Sequence, residues 1–287
     1  MMLYAFYRIA VVIALFLPLR TSYAIATGCA FLFYKISPKD RRAVINNLKV
    51  VTGGSADEKT IDAMAREVFK NFAKYLIDFF RAQKIDEEFI RANVKIVGLH
   101  NMEKARAMGK GVIALSAHVG NWELGGAALA TIGYPISAVV LTHKNKLIND
   151  FFTHQRLNGN MRPIEMGASL KACYRALKNN EVLALLGDRD FTGTGLQVDF
   201  FGHPAMMPKG PALFSYRLGA PIVPVFMVRE SDDSFTFFMK EPILCDTTSD
   251  EKTAVREVTV KCSKAIEECI KRYPAQWYAF REIWDGQ

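Results

Sequence analysis

A chain of 287 residues, half of them hydrophobic, 20 of them phenylalanine and with a formal net charge of +8, is long enough to bury a large core but not apolar enough for a multi-span membrane protein. The positive charge suits anionic partners such as a lipid headgroup surface or a phosphorylated substrate, and without a basic–aromatic recognition module nucleic acid is not an expected partner. Five cysteines with no Cys-x-x-Cys pair point to reduced thiols and away from a disulfide framework or a zinc site.

Two apolar runs open the chain, Ile9 to Leu19 and Tyr23 to Tyr34, separated by Arg20, Thr21 and Ser22. Neither reaches the roughly 18 residues of an independent membrane span. The expectation is a retained, helical and partly interfacial membrane anchor over residues 1–36, with Arg8, Arg20, Lys35 and Lys39 near headgroups. A signal peptide and a buried core helix are the competing readings. Ser37-Pro38-Lys39-Asp40 reads as a helix start, with the helix running to about Val51 before Gly53-Gly54. From Ala56 to Gln83, apolar residues from Ile61 to Phe80 recur at three- and four-residue steps, the pattern of a long amphipathic helix.

Past residue 93, short β-rich runs alternate with helical ones. Strands are expected at Val94–Val97, Gly111–Leu115, Ile136–Leu141, Arg162–Ile164, Val182–Leu186, Gln197–Phe201, Pro221–Val228 and Phe235–Met239. Helices fall between them, at about 145–158 and 168–179 among others, and Glu251 to Arg272 closes the pattern as a helix. The alternation predicts an α/β fold: a mixed, largely parallel central sheet flanked by helices, with an N-terminal hydrophobic anchor helix. The expected division is an anchor segment at 1–36 and a single domain at 37–287, made of a helical lead-in (37–92) and an α/β core (93–287).

In GVIALSAHVGNWELGG the strand ends at about Leu115, so His118 sits just beyond a strand C-terminus and Asn121 caps a helix beginning at Trp122 and Glu123. Ligand sites in open α/β sheets gather at such strand ends. Residues five apart on one continuous helix diverge by about 140°, whereas across a turn they converge. A carboxylate beside an imidazole fixes its tautomer and makes it a better general base. From these residues alone two readings stay open: a His118–Glu123 acid–base pair, or a satisfied turn histidine beside an ordinary first-turn acid. Gly120, Gly125 and Gly126 allow close approach of backbone or substrate.

The stretch H-x-G-N-W-E after an apolar strand, the Arg-bearing segment at 145–158, GDRD at 187–190 and VDFFGHPAMMPKGPALFSYRLGAPIVPVF at 198–226 together resemble the bacterial lipid A late acyltransferases (the lauroyl/myristoyl transferase family) and the related phosphatidylinositol mannoside acyltransferases. Both lie within the glycerolipid acyltransferase superfamily, whose mark is H-x-x-x-x-D/E. The resemblance implies that residues 37–287 form an acyltransferase domain, with His118 the general base and Glu123 its orienting partner. It further implies an acyl donor carried on acyl carrier protein or coenzyme A, a glycolipid acceptor such as a lipid A precursor, no cofactor, and a place at the cytoplasmic face of the inner membrane. The superfamily's commoner Asp is replaced by Glu123, and its F-P-E-G-x-R phosphate motif is absent, which puts glycerol 3-phosphate recognition in doubt.

The remaining candidates are substrate-binding. Arg156 falls where the family carries an arginine for a polar headgroup or phosphate, a role suited to its bidentate fork; a solvated helix-end residue is the plain alternative. Asp188, Arg189 and Asp190 follow a buried strand, where charges need partners or a site; pairing within the cluster competes with a role toward substrate. Asp199 matches a position where relatives carry an acid near the histidine, or else faces solvent. Lys209 and Gly210 open a helix whose start suits a phosphate or a developing oxyanion, or is simply a helix start.

Overall fold

The computed structural model describes residues 2–167 and 170–284. Helices α1 (Met2–Phe16) and α2 (Leu19–Ile36) are separated at Pro18, whose ring removes a backbone donor and cannot continue a helix. Tyr23, Ala30 and Tyr34 of α2 are buried, while Ile9, Val12, Phe16, Phe31, Leu32 and Ile36 stay exposed. Among the described residues no helix is long and apolar enough to cross a membrane, and the two apolar runs form two separate helices. They pack on α4 (Glu58–Phe80), which follows α3 (Pro38–Val51). Asp57 caps α4 by accepting a hydrogen bond from the Thr60 N–H at 2.7 Å.

After α5 (Glu87–Asn93) the chain runs β1 (Val94–Val97), α6 (Leu99–Ala107), β2 (Val112–Ser116), α7 (Trp122–Thr131), β3 (Ile136–Val140), α8 (Lys146–Asn158), β4 (Arg162–Glu165), α9 (Leu170–Lys178) and β5 (Val182–Leu186). Then come β6 (Leu196–Phe200), β7 (His203–Met207), α10 (Gly210–Leu218), β8 (Ile222–Arg229), β9 (Phe235–Met239) and α11 (Glu251–Arg272). Among the described residues seven strands form one sheet in the order β1-β9-β8-β2-β5-β3-β4. Every pairing is parallel except β8 with β9. The mixed, largely parallel sheet expected from the alternation is therefore the one observed.

Each face of this sheet is covered, which is why its central strands read as continuous apolar runs. On one face Ile113, Leu115, Leu183, Phe226 and Val228 pack with α9, α10 and α11. On the other Ala114, Val225, Met227 and Phe237 pack with α6 and α7. β6 does not join the sheet. It pairs antiparallel with β7, a strand the sequence pattern does not announce.

Candidate active site

His118 lies in the turn between the C-terminal end of β2 and α7, and the turn is pinned from several sides. The Tyr278 N–H donates to the His118 carbonyl at 2.8 Å, the Gly120 N–H to the Gln276 carbonyl at 2.9 Å, and the Asn121 N–H to the Met227 carbonyl at 2.7 Å. Gly120 is required there: its φ is +63°, and a Cβ would stand 2.0 Å from the Met227 oxygen. Asn121 caps α7 through its side-chain oxygen, accepting from the Leu124 N–H at 3.0 Å. Its amide donates to Asp78 at 2.8 Å, which also holds the Tyr23 hydroxyl and the Arg229 guanidinium.

The carboxylate against the imidazole is Asp188, not Glu123. Oδ1 of Asp188 is 2.8 Å from Nδ1 of His118, and Oδ2 accepts from the Trp277 indole N–H at 3.1 Å. Asp188 is fully buried. Burial would raise its pKa, but the charges of His118 and Arg189 and the hydrogen bonds of His118 and Trp277 outweigh it, holding the carboxyl well below the usual range. An Nδ1–H donated to this carboxylate leaves Nε2 as the basic atom of the ring. Among the described residues Nε2 has no hydrogen-bond partner. Trp122 meets the ring edge-on at 5.1 Å.

Glu123, expected to orient His118, turns the other way. Arg156 grips it with Nη2 at 2.7 Å and Nε at 3.0 and 3.2 Å. The physical reason is the helix start: Asn121 begins α7, so Glu123 occupies its first turn and faces α8 rather than the β2 turn. Burial would lower the pKa of Arg156, and the adjacent Glu123 charge reverses this and raises it. The Phe79 and Phe152 rings lie under the guanidinium at 5.8 and 5.9 Å.

The other predicted residues divide. Arg189 borders the same cavity as His118, with one guanidinium N–H on the Tyr278 carbonyl and Nε 3.6 Å from Asp188. Its Nε is buried without a hydrogen-bond partner among the described residues, and burial lowers its pKa. Asp190 also borders the cavity, but its carboxylate is engaged by the Thr192 N–H and hydroxyl and the Gly195 N–H. Gly210 borders the cavity at the start of α10, whereas the half-buried Lys209 does not. Asp199 is placed elsewhere. Strand alternation buries Val198 and Phe200 and turns Asp199 out, where it accepts from the Gly202 N–H and pairs with Lys264 at 3.5 Å. The expectation that it stands near the histidine is not met.

The cavity has a volume of about 540 Å³ and continues from His118 and Glu123 into an apolar space between α7 and the sheet. Residues 1–285 match the family described as bacterial lipid A biosynthesis acyltransferase. The chain belongs to that family. It is 27% identical to a phosphatidylinositol mannoside acyltransferase of Mycolicibacterium smegmatis over 78% of its own length and 73% of that protein's. It is 26% identical to the lipid A biosynthesis palmitoleoyltransferase of Escherichia coli over 78% and 71% of the two chains. It is thus an acyltransferase, an enzyme that moves acyl groups.

The C-terminal contributions to this acyltransferase's site are not announced by any sequence pattern. Gln276, Trp277 and Tyr278 follow α11 and hold the His118 turn and Asp188, yet no spacing links YPAQWYAF to position 118. Its polar and aromatic density just after a helix end was the available signal.

Proposed function

We propose that the acyltransferase moves a fatty acyl chain from a thioester, on acyl carrier protein or coenzyme A, to a hydroxyl of a membrane glycolipid, a lipid A precursor in the first reading. The observation that carries this is the His118–Asp188 contact opening directly on the apolar cavity. Nε2 takes the proton of the acceptor hydroxyl as its oxygen bonds to the thioester carbonyl carbon. Collapse of the tetrahedral intermediate breaks the C–S bond, and the imidazolium returns the proton to the leaving sulfur. Asp188 stabilises the imidazolium in between and keeps the tautomer correct. A thioester is already activated, so positioning and one base supply what remains.

In this scheme Glu123 acts through Arg156, holding the guanidinium at the cavity wall toward the acceptor's anionic group. The start of α10 at Gly210 borders the same space and suits the developing oxyanion. Residues 1–36 rest on the cytoplasmic face of the inner membrane through the exposed Ile9, Val12, Phe16, Phe31 and Leu32, with Arg8, Arg20, Lys35 and Lys39 among the headgroups. Residues 37–287 form the acyltransferase domain.

A mannosylated phosphoinositide acceptor is the second reading, supported by the mycobacterial relatives so named. The test is transfer from purified thioesters to lipid acceptors, beside mass spectrometry of lipids from a deletion strain. Loss of one lipid A acyl chain supports the first reading, and an intact lipid A profile the second. A folded His118→Ala protein with normal turnover would reject His118 as the base.

A further inference from the structure

The segment after α11 is fastened so that the indole N–H of Trp277 faces Asp188. Val119 and Trp277 form an isolated antiparallel bridge beside the His118 turn. Gln276 is clamped to the end of β8, its side chain accepting from the Arg229 N–H at 2.9 Å and donating to the Arg229 carbonyl at 2.7 Å. Trp277 is buried, and Phe200, Phe201 and Trp284 box its ring with centroids 6.2, 6.4 and 6.2 Å away. Among the described residues His118 and Trp277 are the only hydrogen-bond partners of the Asp188 carboxylate. A cation is at hand that does not take the indole's place. Nε of Arg189 is 3.6 Å from the same oxygen, too far for a hydrogen bond, and the Tyr278 carbonyl holds another N–H of that guanidinium. A guanidinium bonded to Oδ2 would draw the carboxylate's charge to itself. An indole is a neutral donor that satisfies the oxygen and leaves the charge for the imidazolium.

We infer that Trp277 is a positioning residue of the transfer reaction: its indole N–H fixes the second oxygen of Asp188 and so sets how much of that carboxylate's charge reaches His118. The inference rests on His118 as the base and extends that reading to the C-terminal segment. Without the N–H, Oδ2 has no donor in a fully buried place, and Nδ1–H of His118 is the one hydrogen bond left to the carboxylate. The imidazolium is then held more strongly, and the ring takes up its proton at higher pH. Other charged groups around the site keep their partners. Arg189 remains on the Tyr278 carbonyl, Asp190 is tied to Thr192 and Gly195, and Glu123 of α7 is paired with Arg156 of α8. Burial and the Arg156 charge lower the pKa of His143 at the end of β3, and burial raises the pKa of the Tyr75 phenol of α4 and the Tyr278 phenol, so these three stay neutral.

The experiment uses the purified full-length enzyme with 3-benzothienylalanine in place of Trp277, so that sulfur replaces the indole N–H while the ring keeps its shape. Transfer is followed against pH with whichever acyl-coenzyme A or acyl carrier protein thioester and purified lipid acceptor turn over fastest, because the kcat/KM profile reports the base of the free enzyme. The midpoint of the acid limb is expected to rise by about half a pH unit, and the His118 Nδ1 proton resonance to move downfield. The same replacement of Trp284, whose N–H donates to the Phe200 carbonyl instead, is expected to move neither. Trp277→Phe, which also removes the N–H, is expected to lower kcat about tenfold with KM little changed. Melting curves confirm that each protein is folded. An acid limb that stays in place in the folded Trp277 replacement, or that moves equally in the Trp284 one, overturns the inference and leaves acyl transfer standing. A loss in Trp277→Phe that falls on KM alone overturns it too, because the indole would then serve substrate binding. Absence of turnover from the unaltered enzyme with every thioester sinks the transfer reading and this inference together.

Discussion

Nδ1 of His118 and Oδ1 of Asp188, 70 residues apart in the chain, lie 2.8 Å from each other at the C-terminal ends of the adjacent strands β2 and β5. The parallel pairing of Ser116 with Leu186 is what brings them together, since each side chain follows its strand by two residues. Asp188→Asn keeps the shape but offers an amide N–H to Nδ1, which drives the ring proton to Nε2, where the base must be free. The expected result is a fall in kcat of about a hundredfold to ten-thousandfold with KM little changed. Steady-state kinetics on a protein with an unaltered melting curve checks this. A KM effect alone would place Asp188 in substrate binding instead.

The same contact predicts a pH dependence of stability. The Asp188 carboxyl is held below its ordinary pKa when folded, so between the folded and unfolded values the unfolded chain binds more protons. Its stabilising contribution is therefore complete above about pH 4, the ordinary carboxylate value, and is lost as the pH falls toward the folded value. The melting temperature of the unaltered protein is expected to fall more steeply from about pH 4 to about pH 2 than that of Asp188→Asn. Parallel curves would mean that the pair carries no linked stability.

Glu123 and Arg156 behave as a buried ion pair, with side chains 8% and 13% exposed. Removing one partner strands the other charge, so Glu123→Ala is expected to cost about 3–5 kcal/mol. The double variant Glu123→Ala/Arg156→Ala should cost clearly less than the sum of the single ones, as judged by denaturant unfolding. Glu123→Gln should retain far more of kcat than Asp188→Asn, because Glu123 does not touch the imidazole. If the two variants lost kcat equally, Glu123 would belong with the base after all.

These contrasts mark where the sequence was legible. The strands at 94–97, 182–186 and 235–239 are legible as short β-rich runs and the helix at 251–272 as an amphipathic one, because a sheet covered on both faces leaves near-continuous apolar runs while burial of one helix face leaves a countable period. His118 was found for the same reason, as a polar residue immediately beyond an apolar strand. Its partner was not, since proximity in sequence favoured Glu123 while the sheet order, which places β5 beside β2, favoured Asp188. Asp199 diverges in the same manner: the resemblance implies an acid near the histidine at this position, but β6 leaves the sheet for a hairpin of its own and its alternation turns the side chain out. Residues that meet only through topology leave no periodic trace.

Asp78 gives a last prediction, about how the N-terminal helices reach the site. It is buried on α4 between the Tyr23 hydroxyl of α2 at 2.5 Å, the Asn121 amide at the head of α7 at 2.8 Å, and the Arg229 guanidinium at the end of β8. Burial raises its pKa, while the Arg229 charge and the three hydrogen bonds favour the ionised form. Asp78→Ala leaves the guanidinium of Arg229, whose side chain is only 6% exposed, with Asp233 at 3.3 Å as its remaining acid, and is expected to destabilise the fold by about 3 kcal/mol. Tyr23→Phe removes two hydrogen bonds, the one its hydroxyl donates to Asp78 and the one it accepts from Arg229 at 3.0 Å, and should cost about 1–3 kcal/mol. Because Asn121 holds the first turn of α7 with its other side-chain atom, the milder Tyr23→Phe should also speed amide hydrogen exchange at Leu124, next to the His118 turn. Exchange that quickens in α2 but not in α7 would show that the network fastens the N-terminal helices without tightening the site.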